Sequence, residues 1–459
     1  MPRALFTRIA VLLFAALGCT ACAISRLEPT PTPTTAPPPS VIAASGSLGE
    51  KAANRLIDSR LGEQDDDPHI HDLVESFRQV ASAPLVAGNR CTLLIDGPQT
   101  LDAMRKAIQG AKHHVHLETY IFSDDEVGRS IRDLLLERRR AGLTIRVLYD
   151  GIGSLATPAA FFDDMRAAGI DVRAFRSLNP FRTPLVWEQN NRDHRKLIIV
   201  DGRVAFTGGI NITSTYMDSS TTRPGPELGV SDGWRDTHVM IEGPVAAQFQ
   251  SLFLATWTAT GGAIDAASTQ YFPQIAPVGR ELIAAVATDG TKAAIYSTYL
   301  SAIERATQRI WLTNAYFAPN RKMRKALLAA AKRGVDVRLI VPGFTDSSLI
   351  LHASRASFDE LLAGGVRIFE QRYALLHAKT AVIDGALSTV GSSNLDMRSF
   401  LHNNEVNAVV VGTAFGGRLE QVFQRDQANS TELDLASWRK RSLGEKLREV
   451  GSSLFSYWL

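Results

Sequence analysis

His194-Arg-Lys196-Leu-Ile-Ile-Val-Asp201-Gly202, followed by Gly208-Gly209-Ile-Asn211, recurs as His377-Ala-Lys379-Thr-Ala-Val-Ile-Asp384-Gly385, followed by Gly391-Ser392-Ser-Asn394. From histidine to asparagine the two spacings agree residue for residue. One HxKxxxxD can arise by chance in a chain of 459 residues, but two copies, each with GxxN at the same distance, are not accidental. In a strand, residues i and i+2 share a face. The spacing therefore predicts that each histidine and its lysine project together from a strand while the apolar residues behind them enter a core.

Working outward, both motifs sit inside an internal duplication. Ala111 to Phe122 (AKHHVHLETYIF) matches Ala306 to Phe317 (ATQRIWLTNAYF), Ala141 to Leu148 matches Arg333 to Ile340, and Met165 to Phe175 recurs as Leu362 to Phe369, in the same order. Each copy alternates a helical pattern, such as Ser130 to Arg140, with a short β-branched strand, such as Thr144 to Leu148. That alternation argues βα crossovers and an α/β class. The expected architecture is two lobes related by a pseudo-twofold axis, residues 69–262 and 263–430, each a mixed sheet flanked by helices. The two lobes share one active site.

Two imidazoles and two ammonium groups on one surface suit phosphodiester exchange. A neutral histidine attacks phosphorus, and the opposite histidine, when charged, protonates the leaving alkoxide. Lys196 and Lys379, with Asn211, Asn394, Ser392, Gly209 and nearby backbone N–H groups, are expected to hold the phosphate oxygens, so that no metal and no cofactor is required. Each histidine needs an acceptor on its far nitrogen. Glu405 to Gly412 aligns without gaps on Asp236 to Gly243. Asp236 is therefore expected to orient His194, and Glu405 to orient His377. Asp201 and Asp384 complete the catalytic motifs, although an aspartate that ends a strand before glycine is also a normal turn residue. They are expected to support a loop or pair with a lysine. His114, His116, Glu118 and Tyr120 alternate onto one strand face, read here as a half-exposed face in preference to a metal site or part of the substrate pocket.

With these residues the chain resembles the phospholipase D superfamily, and within it the bacterial cardiolipin synthases, from about Leu93 to Val411. Further family-like stretches are Trp234 to Pro244, Ala315 to Pro319, Val341 to Asp346, and Asn394 to Phe400 leading to Asn404-Glu405-Val-Asn407. The resemblance implies transfer of a phosphatidyl group from one phospholipid to the hydroxyl of phosphatidylglycerol or a similar alcohol, with His194 as nucleophile and His377 as acid and base. A phospholipase D-type hydrolase, or an exported nuclease, is the alternative. A catalytically dead lipid-binding scaffold is a third reading, opposed by the complete residue set in both copies. Two departures stand out: many such synthases begin with two membrane-spanning helices, and Ser392 stands where threonine is usual.

The bulk numbers fit a lipid partner better than nucleic acid. Fifty Lys and Arg against 47 Asp and Glu leave a formal charge of +3, with no extended basic field. Arg3 and Arg8 precede the apolar run Ile9 to Leu17, the layout of an export signal over residues 1–23, with cleavage after Ala23 or lipidation of Cys19 or Cys22. That predicts a bacterial cell-envelope protein on the periplasmic side, associated with a membrane surface. Only Cys91 is then left in the folded part, so no disulfide framework is expected. Residues 24–68 read as a tether and leader: Pro/Thr-rich from Glu28 to Ser40, small and polar to about Gly49, and closed by the acidic run Asp65 to Asp67, with regular patterning expected from near His71. In the tail, 431–459, basic residues mix with Leu443, Leu447, Val450, Leu454 and Trp458 at helical intervals. Such a helix either lies in the headgroup region of a membrane or packs on its own domain.

Overall fold

The computed structural model describes residues 40–62, 68–177, 190–217, 233–264, 270–289 and 293–455. In the first half, β1 (Val86–Ile95), β2 (His114–Thr119), β3 (Thr144–Asp150), β4 (Asp171–Phe175), β5 (Leu197–Val200), β6 (Val204–Gly208) and β7 (Thr237–Glu242) form one sheet. Its lateral order is β4-β3-β2-β5-β6-β7-β1, parallel among β2, β3 and β4 and antiparallel elsewhere. The second half repeats the plan with β8 (Glu281–Asp289), β9 (Arg309–Asn314), β10 (Asp336–Pro342), β11 (Arg367–Gln371), β12 (Lys379–Ile383), β13 (Leu387–Gly391) and β14 (Asn404–Val411). Its order is β11-β10-β9-β12-β13-β14-β8. An antiparallel pairing of β1 with β8 joins the two sheets, as a pseudo-twofold relation requires.

The local reasons are visible in the sequence. The helix Glu126–Arg140 starts where the Asp125 carboxylate accepts the Gly128 N–H at 2.9 Å, and ends on Arg138, Arg139 and Arg140, where cations offset the terminal carbonyl dipoles. In β5 the period of two divides the side chains between layers: Ile198 and Val200 join the core of the first half, whereas Leu197 and Ile199 join a core shared by both halves. β12 does the same, with Ala381 and Ile383 in the core of the second half and Val382 in the shared one. The helices Ala246–Ala259 and Thr413–Ala428 contribute Phe249, Phe253, Phe415 and Phe423 to the shared core.

Two expectations need correction. Residues 24–68 are not a tether throughout: the helix Glu50–Leu61 buries Ala53, Ile57 and Leu61. These side chains, with Val41 and with Leu73 and Phe77 of the helix Pro68–Val80, join the core of the second half. The i, i+4, i+8 spacing of 53, 57 and 61 was there to be read beside the Pro/Thr-rich stretch. The HxK residues also do not share a strand face. β5 begins at Leu197, after Lys196, and β12 begins at Lys379, so the histidines lie on the approach to each strand.

Candidate active site between the halves

Each approach segment crosses to the opposite half. The His194 N–H donates to the Asn404 carbonyl at 3.0 Å, and the Asn404 N–H donates to the Arg192 carbonyl at 2.8 Å. Correspondingly, the His377 N–H donates to the Arg235 carbonyl at 2.8 Å, with Leu375–Leu376 running parallel to Trp234–Arg235. Asn404 and Arg235 immediately precede the two carboxylates, so each histidine is delivered to the carboxylate of the other half. His194 Nδ1 lies 2.9 Å from Glu405 Oε1, and His377 Nδ1 lies 2.8 Å from Asp236 Oδ2. The expected pairing of Asp236 with His194 and Glu405 with His377 is therefore reversed: alignment of duplicates identifies equivalent residues, not which copy they face.

Behind the carboxylates sit two residues expected on the phosphate. Ser392 Oγ donates to Glu405 Oε2, and Asn403 Nδ2 lies 3.3 Å from Glu405 Oε1. At Gly209 an added Cβ would fall 2.2 Å from Asp236 Oδ1, so only glycine gives that carboxylate room. Ser392 and Gly209 thus support the carboxylates, because they follow strands that neighbour β14 and β7. Tyr216 was not foreseen. Its hydroxyl lies 3.2 Å from His377 Nδ1 and accepts from Asn211 Nδ2 at 3.2 Å. It sits on a short turn that carries no periodic pattern. Tyr120 stands edge-on to His194 with ring centroids 5.0 Å apart, and Trp234 lies 5.2 Å from His377.

A cavity of about 300 Å³ is lined by both histidines together with Asn211, Asn394, Tyr120, Trp234, Tyr316, Asp346, Asp396, Arg192 and Arg398. Asn211 Oδ1 accepts the Ile121 N–H at 3.2 Å, and Asn394 Oδ1 is buried without a hydrogen-bond partner among the described residues. Arg192 is held by Asp150 in a buried ion pair at 2.8 Å. Lys196 and Lys379 are buried behind the wall. Lys196 Nζ donates to the His194 carbonyl at 2.6 Å, and Lys379 Nζ donates to the His377 carbonyl. In this state they act on the cavity through their field.

That field and the burial set the protonation states. Burial pushes the His194 imidazolium well below its usual range, and Lys196 and Lys379 push it further. Burial and Lys379 bring His377 down to about 4, against the opposing pull of Asp236. The lysines are lowered by burial, to about 7 at Lys196 and about 8 at Lys379, with Glu405 and Asp236 opposing the shift. Burial raises Glu405 to about 7 despite Lys196. At Asp236 burial also pushes upward, but the hydrogen bond and charge of His377 hold the carboxyl below its usual range. At neutral pH both rings are therefore neutral. With a carboxylate acceptor on Nδ1 the proton belongs there, which leaves the Nε2 lone pair free.

The remaining sequence candidates lie elsewhere. Asp201 accepts the N–H groups of Lys112, His113 and His114 at 2.8 to 2.9 Å. Asp384 accepts those of Thr307, Gln308 and Arg309 at 2.8 to 2.9 Å. Both take left-handed backbone, with φ 54° and 51°. They tie the ends of β5 and β12 to the starts of β2 and β9, so they are neither groups of the cavity nor partners of a lysine. The face of His114, His116 and Glu118 is buried, not half-exposed, because the helix Ala246–Ala259 covers it. His114 Nε2 and His116 Nδ1 both bond the Gln250 carboxamide, at 3.1 and 2.8 Å.

Two repeated α/β halves that jointly present a pair of carboxylate-backed histidines define an enzyme of the phospholipase D superfamily, a phosphatidyltransferase or phosphodiesterase. More narrowly, the family model described as "Cardiolipin synthase, PLD-like domain" matches residues 104–222 and 299–427, and the chain belongs to that family. It is 34% identical to the cardiolipin synthase of Geobacillus kaustophilus (strain HTA426) over 394 residues, covering 85% of this chain and 76% of the relative. It is 32% identical to cardiolipin synthase 1 of Bacillus anthracis over 402 residues, covering 84% and 75%. The crystal structure of phosphatidylserine synthase from Haemophilus influenzae Rd KW20 shares the fold at a TM-score of 0.63 and 11% identity, covering 84% of this chain and all of that one. Among the described residues no helix is long and apolar enough to cross a membrane, and the apolar run near the amino terminus lies outside them.

Proposed function

We propose that this enzyme transfers a phosphatidyl group through a covalent phosphohistidine, with phosphatidylglycerol or a similar alcohol as acceptor. The observation that carries the reading is the crossed pair: two imidazoles from separate halves line one cavity, each with Nδ1 on a carboxylate of the other half. His194 Nε2, neutral as in the free enzyme, attacks phosphorus; His377, which takes a proton from solvent onto Nε2 once the anionic phosphodiester offsets the field of the lysines, gives that proton to the departing alkoxide. His377 then removes the proton from the incoming hydroxyl, whose oxygen displaces His194 from phosphorus. Asn211 and Asn394 face the non-bridging oxygens, and the two buried ammonium groups offset the charge that grows on them. The export signal read from the sequence over 1–23 and a lipid substrate both favour the periplasmic side of a bacterial envelope membrane as the enzyme's location.

Incubation with phosphatidylglycerol, read by mass spectrometry, tests the proposal. Cardiolipin and glycerol are expected. Phosphatidic acid as the sole lipid product would assign water as the acceptor and make the enzyme a hydrolase.

A further inference from the structure

We propose that the helix Leu443–Ser453 and the turn after it form a docking face for an anionic phospholipid surface, and that this face brings the cavity to the membrane. The inference rests on the lipid reading above. The helix is amphipathic in the opposite sense to an ordinary packed one. Its inward side is polar: Glu449 and Ser452 are buried, and Glu449 holds Arg441 in an ion pair. Its outward side is apolar: Leu443, Leu447, Val450, Leu454 and Phe455 are between 45 and 72% exposed. Steps of four, three and four residues put the first four on one stripe. A continuous row of large apolar side chains facing water marks an interaction surface.

The charges around the stripe identify what covers it. Residues 435–455 carry five cations against two carboxylates, in a chain whose net formal charge is only +3. Lys440, Lys446 and Arg448 are exposed. None has a carboxylate within ion-pair distance among the described residues. An apolar stripe with a cationic rim fits the headgroup boundary of an anionic bilayer. A second copy of the same face would instead bring like charges together. The face is also continuous with the site. The helix packs along Ser348–Arg355, from which Ile350 lines the cavity and Leu349 is exposed.

The test is amide hydrogen exchange of the full chain, read on the peptide 443–455, with vesicles of phosphatidylglycerol or phosphatidylcholine. Phosphatidylglycerol vesicles are expected to slow exchange there by on the order of tenfold, and phosphatidylcholine much less. A variant carrying Leu447→Glu and Val450→Glu is expected to lose the slowing while turning over short-chain phosphatidylglycerol, dissolved as monomers, at the wild-type rate. Unchanged exchange in the wild type overturns the proposal, as does equal slowing on both lipids. Slowing that appears without vesicles as protein concentration rises also overturns it, in favour of a second copy. If vesicles slow the exchange but the wild type turns over no monomeric lipid, docking stands and the proposed function fails.

Discussion

His194 leans on a glutamate and His377 on an aspartate, and the two carboxylates are held differently. Glu405 receives Ser392 and Asn403, both neutral donors, and burial drives its carboxyl up to about 7. Asp236 receives the Thr237 N–H at 2.7 Å as well as His377, and stays ionised. An ionised partner stabilises an imidazolium, so in the proposed reaction His377 is the ring that carries the extra proton. In that reaction His194, with the less anionic partner, is the ring that stays neutral and attacks. On the proposed mechanism the duplication supplies two equivalent positions around one phosphate, and the divergence between Glu405 and Asp236 divides the labour between them.

The sharpest way to break this comparison is to remove each ring. His194→Ala and His377→Ala are each expected to lower kcat more than about 10³-fold, with circular dichroism and melting temperature unchanged. If either variant keeps a tenth of wild-type turnover, the two-histidine scheme fails. Next in size, Asp236→Asn is expected to cost about 10²-fold or more and Glu405→Gln about tenfold, because only the first removes a full negative charge from beside an imidazolium. Equal losses in steady-state kinetics would erase the distinction between the half-sites.

Protonation offers a gentler probe. The ammonium forms of Lys196 and Lys379 are the useful ones, and their fraction falls as pH rises through about 7 and about 8. The pH profile of kcat/KM, which reports the free enzyme, is expected to decline above that range instead of near 10. The smallest effect on turnover is expected from Asp201→Ala. It leaves three backbone N–H groups without their acceptor and costs about 1–3 kcal/mol in stability, measured by denaturant unfolding, while kcat stays within a few-fold. A loss on the scale of His194→Ala would return Asp201 to the chemistry.

Much of this site was legible before any coordinates. Spacing pointed to His194, His377 and both asparagines, which line one cavity, and to two lysines expected on the phosphate, which instead lie buried on the histidine carbonyls; the gap-free alignment of 405–412 on 236–243 pointed to the two carboxylates. The exchange of partners was not legible, because it depends on which half receives the approach segment, and that is decided by hydrogen bonds from His194 to Asn404 and from His377 to Arg235. Tyr216 escaped because a short turn has no period to betray it. Ser392 was misjudged because a polar residue inside a motif looks chemical, whereas burial had already committed it to Glu405; Asp201, a motif residue expected to support a loop, holds the backbone at the start of β2. The helix Glu50–Leu61 shows its apolar face in the sequence, but its packing, with Val41, Leu73 and Phe77, on the second half links segments distant in sequence, which no local pattern records.

The central claim is that the phosphatidyl group resides on His194 while His377 manages protons. A phosphatidyl ester with a phenolate leaving group needs no acid for departure, so the His377→Ala variant should still accept it and then stall for want of a base to activate the alcohol. Denaturant quench at alkaline pH followed by peptide mass spectrometry is expected to find the phosphatidyl adduct on the peptide containing His194, and none in His194→Ala. An adduct on the peptide containing His377 in His194→Ala, with none on residue 194 in His377→Ala, would contradict the account.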